Sequence, residues 1–150
     1  MLAAALVVAA LNAVPALLGA WLWYWGEASA SAARAFWIAL RVGQGAALVL
    51  ALVVGSLAVA GKHPREGLFY LYALLPVAVA LIAEQLRAAS AQAVLDRRGL
   101  PDAHSVGALP KREQHEVVEQ ILRREIGVMT LSCVVVVFLA LRAAGTAHGF

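Results

Sequence analysis

Four long apolar runs dominate the chain, and each is close to the length that crosses a hydrocarbon core. Leu2 to Trp25 carries no charged side chain and is interrupted only by Asn12 and Pro15. Phe36 to Ala60 contains Arg41 and Gln44, and Gly67 to about Ala89 contains Glu84, Gln85 and Arg87 near its end. Ile126 to Leu141 is short for a span. It lengthens when Val117, Val118, Ile121 and Leu122 are added, because these four fall at helical spacing. A spanning helix takes roughly 20 residues. In lipid the backbone has no water to bond, so a helix must satisfy its own N–H and C=O groups. The sequence therefore predicts an all-α membrane protein, a four-transmembrane-helix bundle with spans at about 2–25, 36–60, 67–89 and 122–142. Four spans nearly exhaust the 150 residues, so the chain is expected to form a single domain.

Composition points to the same solvent. The chain is 63% hydrophobic and 14% charged, against about 45–50% and about 25% for an average soluble domain. A water-soluble fold of this size could not hide so much apolar surface. The single cysteine, Cys133, lies in an apolar run, which excludes an intrachain disulfide and a CxxC redox centre.

The first run is expected to be a retained helix rather than a cleaved leader. Ala28-Ser29-Ala30 would pass as a cleavage site, but no Lys or Arg precedes the run. The run is also longer than the about 7–15 apolar residues of a signal peptide. Trp21, Trp23, Tyr24 and Trp25 at its end resemble an interfacial aromatic belt.

Basic residues set the expected orientation. The side bearing the 26–35 and 90–125 segments holds eight: Arg34, Arg87, Arg97, Arg98, Lys111, Arg112, Arg123 and Arg124. The other side holds three: Lys62, Arg65 and Arg142. The positive-inside rule makes the first side cytoplasmic, so the expected location is the inner membrane, multi-pass, with both termini outside. Glu residues interleave with the cytoplasmic basic residues, so attraction to anionic lipid is expected to be modest.

The third and fourth helices are expected to continue into the cytoplasm as a hairpin over about 90–125. No breaker follows Leu86 until Gly99 and Pro101, and Arg97, Arg98 and Gly99 suit a helix C-terminus. Pro110 suits the first turn of the next helix, with Glu113 and Glu116 near its positive end. The tip would be roughly Gly99 to Leu109.

Two sets of residues could carry function. The first is a polar intramembrane cluster: Arg41, Gln44, Glu84, Gln85 and Arg87. At 1.5 Å per residue, Arg41 lies about 10 Å and Glu84 about 9 Å from the midpoint of its helix, both toward the cytoplasmic side. Charges at membrane depth are expensive and face a partner or a wet cavity. Here the alternatives are an ion pair fixing helix register, snorkelling side chains, a ligand or ion site, or a catalytic role. The second set is Ala39, Gly43, Ala47, Ala51 and Gly55, a stripe at four-residue spacing that lets helix backbones approach. It could serve packing within the chain or an interface with a second copy.

Two further motifs read more simply. His115-Glu116-Val117-Val118-Glu119 has the spacing of a zinc helix with Glu119 at the second ligand position, and Glu113 and His104 stand near it in sequence. It reads as the solvated face of an amphipathic helix. Gly61-Lys62-His63-Pro64-Arg65-Glu66-Gly67 reads as a turn between spans, and no histidine falls within a span to serve as a membrane haem ligand. No catalytic residue, cofactor or metal is assigned, and with no phosphate-cradling glycine loop or nucleic-acid motif, no nucleic-acid partner is expected.

Ala60-Gly61-Lys62-His63-Pro64 followed by Leu68-Phe69-Tyr70-Leu71-Tyr72, together with the ending Phe138 to Thr146, resembles a functionally uncharacterised family of small bacterial four-helix integral membrane proteins. The resemblance covers the last three helices and implies the fold but no activity. A histidine often precedes the first tyrosine in that family, and Phe69 stands there in this chain. The expected partners are the lipid bilayer and either a second copy or another membrane protein. The expected function is that of a non-enzymatic scaffold or accessory subunit of a membrane complex. The alternatives are an oligomeric transporter or channel subunit using the Arg41/Glu84 site and, third, a membrane enzyme acting on a lipid or hydrophobic substrate near the cytoplasmic leaflet.

Overall fold

Helix signals in the sequence act where the physics places them. In a computed structural model describing residues 1–25, 29–62 and 67–147, α1 spans Leu2–Trp25, α2 Ala30–Val59, α3 Leu68–Arg97, α4 Ala103–Val106 and α5 Lys111–Thr146. The described residues contain no strand. α1, α2, α3 and α5 are long and apolar enough to cross a membrane. α2 reaches back beyond its apolar run because the Ser29 hydroxyl caps it, accepting from the Ala32 N–H at 3.2 Å. His63 to Glu66 of the expected turn, and Ala28 of the expected cleavage site, lie outside the described residues.

α2 and α3 end in the same way. Gly61 has φ +76 and Gly99 φ +69, the left-handed conformation that a side chain resists. The Gly99 N–H bonds the Asp96 carbonyl and the Leu100 N–H bonds the Leu95 carbonyl; Gly61 and Lys62 bond Ala58 and Leu57 in the same pattern. This closes both helices with a Schellman motif and satisfies the carbonyls that a helix end leaves free.

The long helices contact one another in a ring: α1 with α2, α2 with α3, α3 with α5, and α5 with α1. Their buried faces form two tiers. One joins Ala5, Val8, Ala47, Val54, Phe69, Ala73, Val136 and Ala140. The other joins Ala16, Leu22, Phe36, Leu40, Ala83, Ile126, Met129 and Cys133. The outward faces are just as apolar: Leu17, Leu52, Leu81 and Phe138 are each 65% exposed or more. Such outward faces on all four long helices suit lipid as their solvent, since large exposed apolar areas are rare on proteins that stand in water.

A third cluster lies beyond the two tiers. Val94 and Leu95 of α3 and Val117 of α5 are buried together, flanked by Leu100, Val106, Leu109 and Ile121. Val118, grouped with Val117 in the apolar stripe, is 55% exposed, because one residue along a helix turns the side chain by about 100°. The tip holds itself by hydrogen bonds. Asp102 Oδ1 accepts from the Ser105 N–H at 2.8 Å and the Ser105 hydroxyl at 2.7 Å. Gln114 Nε2 donates to the carbonyls of Gly107 and Leu109. Pro110 is the cap residue of α5, one place before the first helical turn.

The bonds from Ser105 hold the Asp102 carboxyl below its ordinary range. A depressed carboxyl stabilises above its unfolded pKa, and that contribution is lost as pH falls through the folded value. Hydrogen exchange should therefore find the amides of 90–98 and 111–125 protected. Acidification through the low carboxylate range, or Asp102→Ala, should release α4 alone. Fast exchange throughout 90–125 at neutral pH would contradict this account.

Candidate functional site

α2 and α3 run antiparallel, so one turn of each brings four of the five candidate polar side chains together. Arg41 Nη1 donates to Glu84 Oε1 at 2.6 Å and to Gln44 Oε1 at 2.7 Å. Gln44 Nε2 reaches the same carboxylate oxygen at 3.5 Å. Arg87, one turn along α3, places Nε 3.1 Å from Glu84 Oε2, near enough for an ion pair at an angle that forms no hydrogen bond. Its guanidinium lies 5.3 Å from the centre of the Trp37 ring, over the negative face of the π system. Gln85 is exposed and stands outside the group.

The fold adds a member from a third helix. Glu125 of α5 lies within electrostatic reach of Arg87 and Glu84. Arg41, Glu84 and Arg87 are the ion-paired members on α2 and α3, and Glu125 of α5 stands near them without an ion pair among the described residues. Sequence reasoning missed Glu125 because it paired charges by matched depth on the consecutive helices α2 and α3 and did not bring the last helix to them. The Arg41 side chain is 54% exposed and that of Glu84 29%. The pair therefore sits on the outer part of the α2–α3 seam and not at the centre of the chain.

The small-residue stripe of α2 divides along its length. Gly43, Ala47 and Ala51 are buried, while Ala39 and Gly55 are partly exposed. Gly43 is the point of closest approach. A Cβ there would lie 2.8 Å from Asn12 Oδ1. The buried Asn12 amide uses that space, donating to the Gly43 carbonyl at 3.1 Å and to its own helix at Val8 at 2.9 Å. Nothing approaches within 4 Å of a Cβ at Gly55.

A second close approach escaped the sequence reading. At Gly19 of α1 a Cβ would overlap Thr130 Oγ1 of α5 and come within 2.7 Å of Phe36 Cε2 of α2. A lone glycine in an alanine-rich helix gives no periodic signal, so only the tertiary contact distinguishes it.

Among the described residues, no three His, Cys, Asp or Glu side chains converge as a metal-binding group. His115, Glu116 and Glu119 are exposed along α5. Glu116 is used in ion pairs with Arg112 at 3.5 Å and Arg98 at 3.9 Å. Comparison with family models, with curated proteins and with solved structures yields no match. The likeness to small bacterial four-helix membrane proteins thus rests on its quoted residues alone.

Proposed function

We propose that the chain is a multi-pass inner-membrane protein that acts without catalysis, as a scaffold or accessory subunit of a membrane complex. On this reading the four long helices form one bundle, and the outer parts of α3 and α5 with α4 form a cytoplasmic docking hairpin. The observation that carries the reading is the separate core of that hairpin. Val94, Leu95 and Val117 are buried there, away from the apolar tiers. A mere connection between two spans needs no packed core, helix stop and capped tip; an element that must hold its shape against a partner does. The Arg41–Glu84–Arg87 set fits a structural role, since its ion pairs tie α2 to α3.

The eight-to-three distribution of basic residues supports cytoplasmic placement of the hairpin, with both termini outside. In a Cys133→Ser background, an impermeant thiol reagent applied to intact cells should label Lys62→Cys and spare His104→Cys. The opposite pattern would reverse the orientation. Photo-crosslinking from exposed hairpin positions such as His115 and Glu119 should trap one membrane partner, and crosslinks only to lipid would remove the scaffold reading.

A transporter or channel subunit is the second reading. It draws on the half-exposed Arg41 guanidinium, which a second copy packed on α2 would enclose. Ion or solute flux in liposomes that disappears with Arg41→Met would put that reading first.

A further inference from the structure

α1 stops at Trp25, while its neighbour α5 continues with α3 packed against it. Past the end of α1, the described residues leave a groove of about 760 Å³ on one face of the hairpin. Arg97 at the end of α3, its cap residue Arg98, and Arg123 and Arg124 of α5 line it, and among the described residues no acidic side chain does. In sequence these arginines are interleaved with glutamates, but the fold separates the two signs. Glu125 is within electrostatic reach of Arg87 and Glu84, and Glu116 pairs with Arg112 and, at 3.9 Å, with Arg98. Among the described residues Arg97, Arg123 and Arg124 have no carboxylate within ion-pair distance. Arg123 is steadied by donating to the Trp23 carbonyl at 3.3 Å.

The other end of the groove is apolar. Gly127 leaves a shelf whose nearest neighbour is the Trp23 ring, 3.9 Å from where a Cβ would stand. Val128 and the 61% exposed Leu131 carry the lining onward along the outer, lipid-compatible face of α5. Trp23 belongs to the aromatic group that marks a membrane interface. One groove thus runs from hydrocarbon depth, past an interfacial tryptophan, to four guanidiniums.

We propose that this groove binds an anionic glycerophospholipid, with its phosphate held by Arg97, Arg123 and Arg124 and one acyl chain lying along Gly127, Val128 and Leu131. The chemistry matches at both ends. A guanidinium presents two parallel N–H donors that fit two phosphate oxygens, and it is less strongly hydrated than an ammonium. The apolar end excludes a purely water-soluble phosphate as the natural occupant, because such a ligand would leave Leu131 and Val128 uncovered. Charge complementarity favours a headgroup with net negative charge over a zwitterionic one, whose ammonium would meet the same arginines. This site rests on the reading of α1, α3 and α5 as membrane spans with the hairpin on the cytoplasmic side.

The test uses the full chain in a neutral detergent, with thermal unfolding and native mass spectrometry followed as lipid is added. Phosphatidylglycerol should raise the midpoint and remain bound, while phosphatidylcholine and inorganic phosphate should do neither. Arg97→Gln with Arg124→Gln should weaken phosphatidylglycerol binding by about tenfold, the scale expected from losing two charge-assisted forks. Arg97→Lys with Arg124→Lys, which keeps the charge and loses the fork, should fall between. Lys111→Gln with Arg112→Gln removes the same charge outside the groove and should bind like the parent. Equal binding of phosphatidylcholine, an equal loss in the Lys111/Arg112 control, or an equal response to inorganic phosphate would each overturn the lipid site. Thiol labelling of Lys62→Cys and His104→Cys in vesicles keeps the two claims apart. A chain labelled at both sites fails the membrane reading. A chain labelled at one site, with no preference for the anionic lipid, fails the lipid site alone.

Discussion

Gly19→Ala should destabilise the protein more than any other single methyl group added to a described helical glycine. The new Cβ would overlap Thr130 Oγ1 and lie 2.7 Å from Phe36 Cε2. Neither neighbour can easily retreat. Phe36 is fully buried, and Thr130 Oγ1 is fixed by donating to the Ile126 carbonyl at 2.7 Å. Overpacking of this kind costs about 1–3 kcal/mol, occasionally more, and the affected seam joins α1 to both α2 and α5. For a chain of this size, about 1 kcal/mol moves a thermal midpoint by roughly 2–4 °C. The unfolding midpoint in detergent should therefore drop by about 3–10 °C. Thr130→Ala in the same chain should recover part of the loss by removing the oxygen, but not all of it, because Phe36 remains.

The internal comparison is Gly45→Ala and Gly55→Ala, where nothing lies within 4 Å of the added carbon. Relieving a helical glycine in open space gains roughly 0.5–1 kcal/mol, so these two should be neutral or slightly stabilised. If Gly55→Ala is destabilising in the membrane but neutral in detergent, the stripe on α2 meets a second copy at that end. If Gly19→Ala is neutral, the close seam between α1 and α5 does not exist.

The contrast between these glycines also shows what is legible in the sequence alone. Apolar run length gave the long helices, because length and hydropathy are properties of a segment by itself. The end of α3 was readable because Gly99 serves the same turn chemistry wherever it occurs. Arg41 and Glu84 were readable as neighbours, since matched depth on consecutive antiparallel helices leaves little freedom. Gln85 shows the limit of that reasoning: one position from Glu84, it is turned by about 100° and leaves the group. Glu125, Asn12 and Gly19 needed the ring of contacts, because each acts through a residue of another helix. The separation of Arg97, Arg123 and Arg124 from the nearby glutamates was illegible for the same reason. Counting charges along a loop averages what helix faces keep apart.

The polar cluster provides the second large effect, and its geometry predicts an asymmetry. Glu84 is the shared acceptor: Oε1 takes Arg41 and Gln44, and Oε2 faces Arg87. Glu84→Gln keeps the shape and removes the charge that compensates both guanidiniums. Arg41→Met leaves Glu84 still paired with Arg87, and Arg87 still over Trp37. An uncompensated charge at the helix centre is unfavourable by roughly 2.5–3.5 kcal/mol on the insertion scale, and by less toward the interface. The half-exposed Arg41 can relieve part of that by reaching toward headgroups, whereas Arg87, packed on Trp37, has less freedom. Glu84→Gln should therefore lower the thermal midpoint in detergent or lipid more than Arg41→Met does. Combining the two should cost less than the sum of the single changes, because the second removes a charge that the first left unpaired. Glu125 sharpens the expectation, since with Glu84 neutral it is the carboxyl still within reach of Arg87, and Glu84→Gln with Glu125→Gln should be worse than either alone. Strict additivity across the Arg41/Glu84 cycle would mean that the two side chains do not share an environment. A double variant that keeps full stability while abolishing a liposome flux would move the cluster from holding helices in register to lining a path.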